Sequence, residues 1–265
     1  MRTKRQISRR TWLLSGCACT GAAWATPTRA RGQPTFNPTS FEPLRIALPQ
    51  LQYPGRWNPR PNALREWGLE TRLRTRVEVR REPVIVRAED PELFDTPFLY
   101  VAGEAGLPAA SPRGEAQLRR FVDLGGIIIF DASDGGTDPG FERDVRALLH
   151  RALPGSELGR LSAEHVLYRS FYIVNRPMGR TRAADHLLAI QEEGRIKILF
   201  IPQDLGGSLA RNAEGVHTHP CLPGGAMQRE WATRLAINIV LYATCTDYKS
   251  DRAHVETLLR SRRWR

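Results

Sequence analysis

The chain is poor in cysteine: four in 265 residues, at positions 17, 19, 221 and 245. So few, so far apart, show no disulfide framework of the kind that holds small secreted domains together. No apolar run is long enough for a stable membrane span. No internal repeat or low-complexity block is visible, which excludes a solenoid. Gly-x-Ser-x-Gly is missing, and so is a glycine-rich loop ending in Gly-Lys-Ser/Thr. Residues 1–25 contain no acidic side chain but carry Arg2, Lys4, Arg5, Arg9 and Arg10. The formal net charge of +11 is inflated by that stretch; the other 240 residues hold 34 basic against 28 acidic groups. With 41% hydrophobic and 25% charged residues, the rest has the balance of a globular protein and only a mild basic excess.

The N-terminus reads as an address. A basic start is followed by the weakly apolar Trp12–Ala25, closing on Ala23-Trp24-Ala25, which fits the small-x-small cleavage rule. Ser8-Arg9-Arg10-Thr11-Trp12-Leu13-Leu14 resembles a twin-arginine export signal, with cleavage expected after Ala25 and a periplasmic mature chain. The alternative is a lipobox, Leu14-Ser15-Gly16-Cys17, which would leave Cys17 lipidated. Export argues against a nucleic-acid partner. It also places Cys221 and Cys245 in an oxidising compartment, either bridged or as buried thiols.

Residues 26–43, with Pro27, Pro34, Pro38 and Pro43, read as a linker, and 44–265 as one α/β domain. Strands are expected at 44–48, 77–79, 97–103, 127–130, 187–190 and 196–201. Helices are expected after Asn62 as cap, after Ser111-Pro112, over 141–153 and from Met227 to Cys245. On the last helix Met227, Trp231, Leu235, Ile239 and Tyr242 form one stripe. Ile127-Ile128-Ile129-Phe130 is apolar on both faces, as in the middle of a parallel sheet. Glu192-Glu193-Gly194 reads as a hairpin turn. The alternation implies a three-layer, mostly parallel, doubly wound sheet with helices on both faces. Residues 154–186 follow no regular pattern and read as an excursion or lid.

In such a sheet ligands bind beyond the carboxyl ends of the strands. Three glycine-bearing turns fall there: Gly103-Glu104-Ala105-Gly106, Asp131-Ala132-Ser133-Asp134-Gly135-Gly136 and Gln203-Asp204-Leu205-Gly206-Gly207-Ser208. Gly103, Asp131, Asp134 and Asp204 are the ligand-binding candidates. Clustered carboxylates suit acid/base work or a cation, and equally serve as turn and cap residues. Glu104 or Asp131, with His165 as partner, are the candidates for a catalytic role. His217-Thr218-His219-Pro220-Cys221 offers three donors but no second cluster at metal spacing, so no metal and no cofactor is expected. The arginines at 72, 74, 76, 80 and 81 alternate with Glu70, Glu78 and Glu82 as on a solvated face, and the basic end Arg260–Arg265 reads as a frayed tail.

The order of several segments resembles a known set: Pro97-Phe98-Leu99-Tyr100, Leu118-Arg119-Arg120-Phe121-Val122, Gly125-Gly126, Ile129-Phe130-Asp131, Phe171-Tyr172, and Arg234 to Ala243 followed by Thr246-Asp247-Tyr248-Lys249. The chain resembles the bacterial domain-of-unknown-function family numbered 4159 over about residues 44–260. The resemblance implies an exported protein with a fold similar to class I glutamine amidotransferases. It also implies an envelope setting beside proteins with von Willebrand A domains. The usual family turn after the Phe-Leu-Tyr strand is similar to Gly-His-Gly; Gly103-Glu104-Ala105-Gly106 stands here, and no Cys-His-Glu triad is matched. The functional expectation is a non-catalytic binding or assembly module of the envelope. The alternative is a hydrolase of envelope saccharide or peptide using the strand-end carboxylates.

Overall fold

A computed structural model describes residues 45–262, with side chains as far as Thr244. The export signal, the Cys17 lipobox, the linker, the Cys245 thiol and the last three residues of the basic end lie outside the described residues.

The strands are β1 (Pro49–Leu51), β2 (Val84–Val86), β3 (Phe98–Gly103), β4 (Ile127–Ala132), β5 (Gly159–Arg160), β6 (Leu188–Glu192) and β7 (Arg195–Ile201). They form one sheet in the order β2-β1-β3-β4-β7-β6-β5. β2, β1, β3, β4 and β7 pair in parallel, and β6 and β5 add an antiparallel edge. The helices are α1 (Ala63–Arg74), α2 (Pro112–Asp123), α3 (Gly140–Ala152), α4 (Leu205–Leu209) and α5 (Gly225–Arg262).

The central strands are apolar on both faces because each face meets a different core. On β3, Phe98, Tyr100 and Ala102 join Leu64 and Trp67 of α1, Leu205 of α4 and Leu235 and Ile239 of α5. Leu99 and Val101 point the other way, into a core with Phe121 of α2 and Val145 and Leu149 of α3. The period of two along a strand produces this division. Trp67 is fully buried, and its indole N–H donates to the Ala236 carbonyl of α5 at 2.8 Å. It stands edge-on to Phe98 and Tyr100.

Local chemistry sets the boundaries. Ser111 Oγ accepts from Gly114 N at 2.9 Å, and Pro112 opens α2. Gly125, at φ 110°, turns the chain from α2 into β4. Glu193 (φ 49°) and Gly194 (φ 78°) make the two-residue turn between β6 and β7.

Several expectations are corrected. The first strand is Pro49–Leu51, and Ile46 makes only a bridge to Val79. The sheet edge is Val84–Val86 rather than 77–79. Asn62 precedes α1 in a left-handed conformation (φ 64°) and does not cap it; its amide donates to the Arg211 carbonyl. Met227 is 70% exposed. Side chains four apart on a helix drift by about 40° per step, so Met227 has rotated away from the face that carries Leu235 and Ile239 into the core.

Candidate functional site

Because β3, β4 and β7 are adjacent and parallel, their carboxyl ends lie side by side. The three turns named from the sequence therefore share one edge of the sheet. Asp131, at the end of β4 opposite Ile201, is completely buried. Its Oδ1 accepts from Leu205 N at 2.8 Å; its Oδ2 accepts from Gly206 N and from the Tyr100 hydroxyl, both at 2.7 Å. The carboxylate thus caps the first amides of α4. Gly206 permits that approach: a Cβ there would lie 2.5 Å from the Tyr100 hydroxyl and 3.1 Å from Asp131 Oδ2. Burial, and after it the charge of Asp204, push the Asp131 pKa up to about 7; the three donors pull the other way.

Asp204 is also fully buried and takes φ 54° at the start of α4, where its Oδ1 accepts from Gly207 N at 2.8 Å. Two arginines close on it. Arg60, only 9% exposed, donates through Nε and through Nη2, the latter at 2.8 Å from Oδ2. Arg60 Nη2 also reaches the Ser133 carbonyl. Arg180, from the irregular 154–186 stretch, donates its Nε to Asp204 Oδ2. That stretch is pinned further by Thr181, whose hydroxyl donates to the Gly135 carbonyl at 3.0 Å, and by Asn238 of α5, which bonds the backbone of Phe171 and Tyr172.

Glu104 follows β3 and is ion-paired with Arg56 at 2.8 Å and with Arg60 at 3.7 Å. Asp134 Oδ2 accepts from Asp138 N at 2.8 Å, holding the turn into α3. Gly103 packs on the Phe141 ring with no room for a Cβ. Glu104, Asp131 and Asp204 thus meet around Arg60, while the Asp134 side chain faces its own turn.

His165 is elsewhere. Its Nδ1 accepts from Leu167 N, its Nε2 lies 3.4 Å from the Gly194 carbonyl, and its ring abuts Tyr242. Gly194 sits at the start of β7, whereas Asp131 pairs with the last residue of β7. At about 3.3 Å per residue, that puts roughly 20 Å between them. Burial lowers the His165 pKa.

Two features escaped the sequence reading. The first is the pair Arg60 and Arg180, which look like surface arginines until Asp204 is brought to them. The second is a cleft of about 540 Å³ lined by Tyr53, Trp57, Arg87, Glu89 and Leu107 among others. It lies where the loops after β1, β2 and β3 meet. The strand order reverses here: the chain leaves β1 for β2 at one edge, then returns to β3 on the other side of β1. A neighbouring depression of about 470 Å³ shares Tyr53 and Leu107 and adds Arg56, Glu104 and Asp144. Cys221 is buried and free, and burial raises its thiol pKa. Among the described residues no group of three or more His, Cys, Asp and Glu side chains is placed to hold a metal ion. No helix there is long and apolar enough to cross a membrane.

Comparison with curated proteins gives no match. Residues 47–244, from the turn into β1 to the middle of α5, match the family described as domain of unknown function DUF4159, and the chain belongs to that family.

Proposed function

We propose that the chain is an exported envelope protein that binds a ligand or partner without turning it over. Its architecture is read as the three-layer, doubly wound arrangement of the class I glutamine amidotransferases, and its partners as envelope proteins, including those with von Willebrand A domains. The observation that carries the reading is the fate of the strand-end carboxylates. Asp131 caps α4, Asp204 is held by Arg60 and Arg180, and Glu104 is paired with Arg56. A general base needs a lone pair free to reach its substrate; Asp131 and Asp204 are fully buried and hydrogen-bonded inside the protein, and Glu104 is engaged by ion pairs to Arg56 and Arg60. The position of an elbow nucleophile is taken by Glu104, and His165 stands at the far end of the sheet. Beside this network lies the cleft at the strand-order reversal, the place where open α/β sheets bind ligands.

The test uses the full chain with peptidoglycan fragments and with envelope extract of the host. Retention weakened by Trp57→Ala, with no change in the fragments, supports the reading. Turnover that disappears in Asp131→Ala overturns it. Export is checked by fusing a reporter behind the first forty residues; a reporter retained in the cytosol removes the envelope assignment.

A further inference from the structure

A second, smaller pocket of about 180 Å³ lies between α1, the start of α5 and the loop after α4. Its charged and titratable lining is Glu70 and Arg74 of α1, Arg211 and His217 of the loop, and Arg229 and Glu230 of α5. At about 30 Å³ per water it has room for roughly six, enough for a small ion with part of its shell and too little for a nucleotide cofactor.

The charges are unequal. Arg74 pairs with Glu70 and Glu230, each at 2.8 Å, and Arg211 pairs with Glu70 at 3.1 Å and with Glu66 at 3.6 Å. Arg229 has no carboxylate within ion-pair distance among the described residues; it donates to the Ser208 and His219 carbonyls. Arg229 is therefore the lining arginine without a carboxylate partner, while Arg74 and Arg211 are matched by Glu66, Glu70 and Glu230. Two buried atoms of this lining have no hydrogen-bond partner among the described residues: His217 Nδ1, and Arg211 Nε, which faces Glu66 Oε2 at 3.6 Å, beyond hydrogen-bond reach. Buried polar groups without a hydrogen bond are costly, and these two line one pocket where a single acceptor could serve both. A protonated imidazole donates from both nitrogens, and its charge would add to that of Arg229.

We propose that this pocket binds a doubly charged oxyanion of sulfate or phosphate size, and that binding places a proton on His217. In the empty pocket, burial and then Arg229 and Arg211 lower the His217 pKa, while the Ala210 carbonyl and Glu70 act the other way. The empty site therefore holds a neutral ring at neutral pH, and the anion reverses the electrostatic balance that keeps it so. Arg74 and Glu230 are the remaining charged groups on the pocket wall.

Sulfate is the direct probe because its charge does not change between about pH 5 and 8. Calorimetric titration of the full chain is expected to show sulfate bound about tenfold tighter at the lower end of that range than at the upper, with the His217 ring resonances moving to the protonated position on saturation. Inorganic phosphate and glycerol phosphate, compared at one pH, distinguish a free ion from the end of an ester. His217→Gln should flatten the pH dependence and keep residual affinity; Arg229→Gln should abolish binding throughout. Because Arg229→Gln also removes two bonds to the backbone, its melting temperature is measured in parallel, and His217→Gln carries the test if it fails to fold. No binding at millimolar sulfate, equal affinity across the range, or unmoved His217 resonances overturns the proposal.

Discussion

Replacing Asp204 by alanine is the sharpest test of the network behind the strand ends. The substitution leaves Arg60, only 9% exposed, with a buried guanidinium whose main counter-charge has gone. Removing one partner of a buried ion pair costs about 3–5 kcal/mol. The bond from Gly207 N to the Asp204 side chain is lost as well, and an absent N-cap adds about 1 kcal/mol. Arg180, at 21% side-chain exposure, turns more readily to water and adds less. The sum, about 4–6 kcal/mol, is comparable with the whole stability of a typical domain, about 5–15 kcal/mol. Asp204→Asn keeps an oxygen for the cap and loses only the charge, so it should fall about 1 kcal/mol short of the alanine variant. Urea unfolding of the full chain, followed by circular dichroism, reads both. With a slope near 3 kcal/mol per molar, the alanine midpoint should drop by about 1.3–2 M. A drop below about 0.3 M would refute the reasoning, since it would mean that Arg60 is not paid for by Asp204. Glu104, 3.7 Å from Arg60, is the alternative partner. Adding Glu104→Gln to Asp204→Ala should therefore cost more than the two single changes together.

Asp131 gives a pH signature. Its folded pKa of about 7 lies above the ordinary value of 3.8, so its contribution to stability is fully present below about pH 4 and is lost as pH rises through about 7. A carboxyl carbon-13 titration should place the Asp131 midpoint near neutrality; a midpoint in the ordinary carboxylate range defeats this. Gly103→Ala forces a methyl into the Phe141 ring and should destabilise by about 1–3 kcal/mol, read as a lower melting temperature; an unchanged one would show that the ring yields freely. Cys221, buried and with its thiol pKa raised, should resist maleimide in the native chain and react once urea is added, as followed by mass spectrometry of its peptide.

What was legible in the sequence was mostly local. Ser111-Pro112 announces a helix because cap and first-turn geometry are settled within four residues. Glu193-Gly194 announces a hairpin because left-handed backbone is needed there. Ile127–Phe130 announces a buried strand because both faces are apolar. The strand-end rule pointed to Gly103, Asp131 and Asp204, which the parallel pairing of β3, β4 and β7 brings to one edge of the sheet. What was not legible depends on distant partners. Arg60 and Asp204 are 144 residues apart, and nothing near either names the other. The edge strand Val84–Val86 has only three residues after a proline, too few for a period to appear. Without it the reversal of strand order beside β1 was invisible, and so was the cleft formed by Tyr53 and Trp57. His165 fell in an irregular stretch, where sequence carries no information on which end of the sheet it serves.

The hydrogen bond from the Trp67 indole to the Ala236 carbonyl has a consequence for biosynthesis. Its two ends are 169 residues apart, and α5 supplies much of the core on that side of the sheet. A nascent chain still lacking α5 has Leu64, Leu205 and Leu209 beside Trp67, Phe98 and Tyr100 but not the α5 part of that core. At a ribosomal pace of about 5–20 residues per second, α1 waits on the order of ten seconds for its seat to be made. Until α5 has been made, the first half of the chain therefore holds apolar surface that the finished core will bury.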